Sequence, residues 1–151
     1  ADCAPRAGLL WWRTRTPREQ LPAYALLASG GVRHVRADSA APLLLAPGAR
    51  VMLRMRPQTR VPGVVTVRAF LVQGSREVAL ESDQTFVAGD GAVQMRGRVP
   101  KEAALAPGRV EIVVALGRPE ALGEGPVSVG ELSARGDLLR WARVDAEMVG
   151  R

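Results

Sequence analysis

The chain has 151 residues, 47% of them hydrophobic and 24% charged, with a formal net charge of +6, which is the composition of one ordinary globular domain rather than of a disordered tail. At this length roughly two-thirds of the unfolded surface is buried on folding, so neither a disulfide nor a metal is needed to hold the fold. One cysteine excludes a disulfide scaffold, and the longest apolar runs fall far short of the roughly 18 to 20 residues of a membrane-spanning helix.

Residues 1–22 read as a leader. Ala7-Gly8-Leu9-Leu10-Trp11-Trp12 is a short apolar run closed by a Trp pair, and Arg13, Arg15 and Arg18 follow, with Pro17 and Pro22 among them. That order is the one found at the exit of a membrane helix, with Trp at the headgroup level and basic residues beyond it. Six apolar residues span nothing, so the expectation is a membrane-anchor remnant or an interfacial segment in which Trp11, Trp12 and Arg13 contact the membrane surface. The alternative is a loose terminus with its Trp side chains packed on the domain. A secretory signal would carry its charges before the apolar run, and here most follow it. A helix ending at Trp12 would leave Arg13 to Arg18 on the cytoplasmic side, against an extracytoplasmic body. A cell-envelope, periplasmic location and a cytoplasmic one therefore both stay open. A start at Ala1 instead of Met points to processing or truncation, and Cys3 lacks the small apolar residues that should precede a lipidated cysteine.

From Leu21 onward, short Val-rich alternating runs are separated by Gly and Pro turns. Tyr24 to Ser29 is the first run, and Gly30-Gly31 turns it toward Val32 to Arg36. Leu43-Leu44-Leu45 leads through Pro47-Gly48 into Arg50 to Arg56, where Val51, Leu53 and Met55 alternate with Arg50, Met52, Arg54 and Arg56 as in a half-buried strand. Val64 to Gln73 is apolar on both faces, as a central strand is, and Gln73-Gly74-Ser75 turns it into Arg76 to Glu81. Gln84 to Ala88 and Ala92 to Arg98 flank Gly89-Asp90-Gly91, a hairpin signal. Arg109 to Leu116 reads as a second buried strand and Leu138 to Met148 as the last. Only Lys101 to Leu105 and Val127 to Ala134 look weakly helical. About seven to nine strands without long amphipathic helices predict an all-β fold, an antiparallel immunoglobulin-like β-sandwich over residues 23–151. Leu45-Ala46-Pro47-Gly48 recurs as Leu105-Ala106-Pro107-Gly108, either as a duplication or as two turns that converged on Pro-Gly.

Side chains that carry chemistry are scarce. A hydrolytic triad needs a base beside a nucleophile, and the only histidine, His34, lies among Arg33 and Arg36, whose charge disfavours its protonation. One His, one Cys and scattered carboxylates form no metal-binding motif, and Gly117, Gly123, Gly125 and Gly130 are spaced wrongly for a phosphate-cradling loop. Pairs drawn from Glu77, Glu81, Asp83 and Asp90 would need guessed geometry. No catalytic, cofactor or metal residue is expected, and the protein is read as a non-enzyme.

Arginine is the one feature with functional content. Twenty Arg against one Lys, one Ile and no Asn reflect GC-rich codons as much as selection, so the pI of about 11.1 is weak ground for nucleic-acid binding. Position says more than total: residues 1–60 hold ten Arg against Asp2, Glu19 and Asp38, a net of +7, while residues 61–151 hold eleven basic and twelve acidic groups, a net of −1. Arg50, Arg54 and Arg56 share one strand face, with Arg33, Arg36 and Arg60 near in sequence, and guanidinium groups suit an acidic partner. A solvated sheet face or edge protection would use the same residues. Stacking aromatics are missing, since Phe70, Phe86 and Tyr24 look like core.

Leu21-Pro22-Ala23-Tyr24, Ser29-Gly30-Gly31, Leu45-Ala46-Pro47-Gly48-Ala49-Arg50-Val51, Arg68-Ala69-Phe70-Leu71-Val72 and Leu116-Gly117-Arg118-Pro119 together resemble the membrane-proximal β-sandwich domains of single-pass envelope proteins of high-GC bacteria, anti-sigma-factor-like proteins among them. The resemblance covers about two-thirds of the chain and consists of turns and strands, so no site residue carries over. It implies a non-catalytic, membrane-proximal sensing, protein-interaction or scaffold module with Leu9 to Trp12 as the remnant of the anchor. The chain departs from those proteins in lacking a full span and a zinc-binding anti-sigma segment. The expectation from another class is a basic module that binds nucleic acid or anionic lipid through the Arg-rich first 60 residues, with steep salt dependence.

Overall fold

The computed structural model describes residues 21–31 and 42–149, in which nine strands form two sheets. In chain order they are β1 (Tyr24–Gly30), β2 (Leu43–Leu45), β3 (Arg50–Pro57), β4 (Thr66–Gln73), β5 (Arg76–Ala79), β6 (Glu81–Val87), β7 (Val93–Arg98), β8 (Gly108–Gly117) and β9 (Leu139–Met148). One sheet has the order β1-β3-β7-β6 and the other β2-β9-β8-β4-β5. The all-β expectation holds. The strand expected at Val32 to Arg36 lies outside the described residues, as do Cys3, Trp11, Trp12, Arg13 and His34.

Period-two alternation sets what each sheet buries. Val51, Leu53 and Met55 of β3 meet Val93 and Met95 of β7, and this apolar layer joins Ala69 and Leu71 of β4, Val110, Ile112, Val114 and Leu116 of β8, and Ala146 and Met148 of β9 in one core. Leu21 is part of that core, and its carbonyl accepts a hydrogen bond from Arg140 Nε. β4 lies between β8 and β5, as its two-sided apolar pattern predicts, but it starts at Thr66 and leaves Val64 exposed.

Three expectations are corrected. The pairing is not wholly antiparallel: β2 runs parallel to β9. Six strands, β3 to β8, separate these two strands in sequence, so no hairpin constrains their relative direction. Lys101 to Leu105 forms a turn closed by Ala103 N–H on the Pro100 carbonyl, not a helix. A helical turn forms instead where none was expected, at α1 (Pro119–Leu122), with proline at its first position. The helix expected near Val127 to Ala134 is present as α2 (Val129–Ser133), capped by Ser128 Oγ accepting from Glu131 N–H at 3.1 Å. The two Pro-Gly echoes also differ. Ala49 N–H closes a turn on the Ala46 carbonyl around Pro47-Gly48, whereas Gly108 opens β8 directly.

α1 and α2 lie in the long connection between β8 and β9 and cover the outer side of the five-stranded sheet. Leu122 and Leu132 sit with Phe70, Ala115 and Leu139 in a second apolar cluster. Arginines fasten this cover by donating to backbone carbonyls: Arg68 to Gly123 and Gly125, and Arg135 to Ala121 and Leu122. The Glu77 carboxylate accepts the Val129 N–H at 2.9 Å. Arg118 likewise donates to the carbonyls of Pro62 and Val64.

Tyr24 pins the other end of the core to the β6–β7 hairpin, its hydroxyl donating to the Gly91 carbonyl at 2.7 Å. Burial raises its pKa above the ordinary 10.0, with Arg118 pulling it down and Asp90 adding to the rise. Above that pH the folded protein retains a proton that the unfolded chain has released. The contribution of Tyr24 to stability is therefore level below pH 10.0 and is lost as pH climbs from there through the folded-state pKa. Tyr24 is the only tyrosine, so tyrosinate absorbance reports it alone. The expected midpoint lies above 10.0 in the folded protein and returns to it in denaturant; a folded-state midpoint at or below 10.0 contradicts the buried phenol.

Candidate functional site

The cover over the five-stranded sheet leaves the outer face of the four-stranded sheet as the large uncovered surface among the described residues. Strand register assembles it. Leu27 of β1 pairs with Arg54 of β3, Arg54 with Gln94 of β7, and Gln94 with Phe86 of β6. The next row is Ser29, Met52, Arg96 and Gln84, and beyond it Arg50, Arg98 and Glu81 lie side by side. At the opposite end Arg56 pairs with Ala25. Arg50, Arg54 and Arg56, expected on one strand face, are there, and the fold adds Arg96 and Arg98 from a strand about 40 residues away in sequence.

Successive outward residues on a strand are about 6 to 7 Å apart and neighbouring strands about 4.8 Å. Neighbouring pairs (Arg56 with Arg54, Arg54 with Arg96, Arg96 with Arg98, Arg98 with Arg50) thus stand within about one Debye length, about 8 Å at physiological ionic strength, and form a chain of adjacent positive charge. Arg98 pairs with Asp83 at 3.4 Å, because a bulge between Ser82 and Gln84 brings the carboxylate to this face. Among the described residues, Arg50, Arg54, Arg56 and Arg96 make no ion pair or side-chain hydrogen bond, in contrast to the carbonyl-clamping Arg68, Arg118 and Arg135. Among the described residues, Arg68, Arg118 and Arg135 thus hold loops, Arg98 and Arg143 are paired with carboxylates, and Arg50, Arg54, Arg56 and Arg96 present charge. Arg60 lies just beyond the end of β3, where a depression shared with Arg56 and Asp90 continues the same edge.

The charged rows are not purely polar. A shallow groove of about 530 Å³ lies between Leu27 and Phe86, and Ala25, Ala88 and Ala92 line it together with Arg54, Arg56 and Gln94. Leu27 is 52% exposed and Phe86 49%. Phe86 was expected in the core along with Tyr24 and Phe70. Tyr24 and Phe70 are buried, but Phe86 points outward from a strand whose every residue is exposed. Its sequence neighbours gave no sign of this, because Thr85-Phe86-Val87 looks equally apolar on an edge or in a centre.

Among the described residues no group of three His, Cys, Asp or Glu side chains is arranged to hold a metal ion, and no helix is long and apolar enough to cross a membrane. The arrangement offers cationic hydrogen-bond donors around an apolar groove, which suits binding. No protein-family model matches the chain, and no curated protein is similar to it.

Proposed function

We propose that the protein is a non-catalytic interaction module of the cell envelope that binds an acidic protein segment on the outer face of its four-stranded sheet. The observation that carries this reading is the row of Arg50, Arg54, Arg56 and Arg96, unpaired among the described residues, around the groove between Leu27 and Phe86. Guanidinium groups grip carboxylates in bidentate fashion, and the apolar side chains that line the groove take the aliphatic side chains of the same segment. Envelope placement rests on the resemblance of the turns and strands to membrane-proximal domains and on the Trp11, Trp12, Arg13 pattern. We also infer an immunoglobulin-like sandwich. The orders β1-β3-β7-β6 and β9-β8-β4 match, strand for strand, the two sheets of that fold, with aliphatic Leu53 and Ile112 on the inner faces instead of a disulfide.

Nucleic acid and anionic lipid fit the face less well. Glu81 and Asp83 line its β6 edge and repel phosphate, and among the described residues Phe86 is its only aromatic. The experiment is titration of the full chain with a peptide of alternating Glu and Leu, a DNA duplex and vesicles containing phosphatidylglycerol. Saturable binding to the peptide, weaker for the other two, is expected. Preference for the duplex or the vesicles overturns the protein-partner reading. Protease accessibility of a tag after Arg151 tests the location: an inaccessible, cytoplasmic tag overturns the envelope assignment.

A further inference from the structure

We propose that the chain forms a two-fold symmetric dimer by antiparallel pairing of β6 with β6 of a second copy. Sheet ends need cover or blunting, because an open edge strand presents unpaired N–H and C=O groups. In the five-stranded sheet the edges are β2 and β5, three and four residues long. In the four-stranded sheet β1 packs beside β2 and β9, which leaves β6 as the long open edge among the described residues. Its seven residues are all exposed, inward-facing Thr85 and Val87 included.

The two halves of β6 are built differently. Glu81 to Asp83 carries two carboxylates and the bulge, both devices that discourage pairing. Gln84 to Val87 has neither, and it carries the exposed apolar pair Phe86 and Val87.

Hydrogen-bond phase then selects the partner. Ala88 N–H bonds to the Ala92 carbonyl, and residues of an antiparallel ladder alternate between bonded and non-bonded pairs. Phe86, two residues away in an unshifted register, is in the bonded phase with Gln94, so Thr85 and Val87 direct their N–H and C=O groups to the open edge. A two-fold axis at Phe86 places Thr85 opposite Val87 of the second copy and Val87 opposite its Thr85, each a bonded pair. The two Phe86 rings meet at the non-bonded site, where side chains approach most closely. No two carboxylates fall directly opposite one another, since Asp83 is offset to Gly89 and Glu81 to Gly91 of the second copy. The charge pattern therefore permits the same strand to serve both sides. Such a dimer also joins two arginine faces into one continuous surface, although it does not depend on the acidic-partner reading.

The test is sedimentation velocity of the full chain over a concentration series with no peptide present, together with two variants. The wild type is expected to shift from monomer to dimer at high micromolar concentration. Thr85→Pro removes a donor from the open edge only, a position where proline is tolerated in a sheet. It is expected to weaken dimerisation about tenfold or more while the circular-dichroism spectrum stays that of the wild type. In a Cys3→Ser background, Phe86→Cys places two thiols across the axis at a Cα separation of about 4.5 Å, within disulfide reach. It is expected to oxidise to a covalent dimer, while Ala25→Cys on the opposite edge stays monomeric. A wild-type chain that remains monomeric throughout, or a dimer that Phe86→Cys does not cross-link, overturns the proposal.

Discussion

Gly91→Ala is expected to destabilise the domain by about 3 kcal/mol, the sum of a left-handed backbone penalty and an overpacking term. Gly91 has φ +92°, and a Cβ there would stand 2.5 Å from Val61 Cβ, 3.0 Å from the Val61 carbonyl oxygen and 3.2 Å from the Tyr24 hydroxyl. None of these neighbours yields easily. Val61 is buried and its N–H is bonded to the Asp90 carbonyl, while the Tyr24 hydroxyl is held on the Gly91 carbonyl itself. The change therefore strains the hairpin and unseats the hydrogen bond that ties it to β1. Gly89→Ala, two residues earlier in the same turn, meets nothing within 4 Å and needs no positive φ. It is expected to change stability by less than about 0.5 kcal/mol. Urea unfolding of the two variants beside the wild type checks the pair; equal effects would mean that the turn, rather than the close approach at Gly91, governs the loss.

The contrast between these glycines also marks the limit of what sequence shows. Gly89-Asp90-Gly91 was legible as a hairpin, since turn chemistry is local. That only Gly91 lies against Val61 and Tyr24 was not, because the contact spans 67 residues between Tyr24 and Gly91. The same holds at the candidate site. Arg50, Arg54 and Arg56 declare a common face by their spacing on one strand. Arg96 and Arg98 join them only through the β3–β7 register. Within the long connection from Arg118 to Asp137 only Val127 to Ala134 read as weakly helical, with no sign that the connection would cover one sheet and, among the described residues, leave the other open. Alternation reveals which side of a strand is apolar; it does not reveal which outer side remains uncovered. Phe86 was misread for that reason. A strand's place at the edge or centre depends on its neighbours, and β6 overhangs the core.

Charge reversal at Arg54 and Arg96 should separate binding from folding. In Arg54→Glu with Arg96→Glu, two attractive contacts with an acidic segment become repulsive. Affinity for the Glu-Leu peptide is expected to fall about 100-fold or more, since each lost charge contact is worth about tenfold or more. Stability is expected to move in the opposite direction. Arg50 lies directly opposite Arg98 in the β3–β7 ladder, with Arg54 and Arg96 on the same face, and like charges in this arrangement oppose the fold. Removing two of them should raise the unfolding free energy by a few tenths to about 1 kcal/mol at low salt, and added salt should erase the gain. The wild type would then be stabilised by salt while its peptide binding is weakened by it. Isothermal titration of the peptide and urea unfolding, each at low and high salt, read both effects. Reduced stability in the double variant would place these arginines with Arg68, Arg118 and Arg135 as fasteners of the fold. Unchanged peptide affinity would remove the face from the binding site. Weaker binding with equal or greater stability is the pattern of side chains kept for a partner at some expense to the fold.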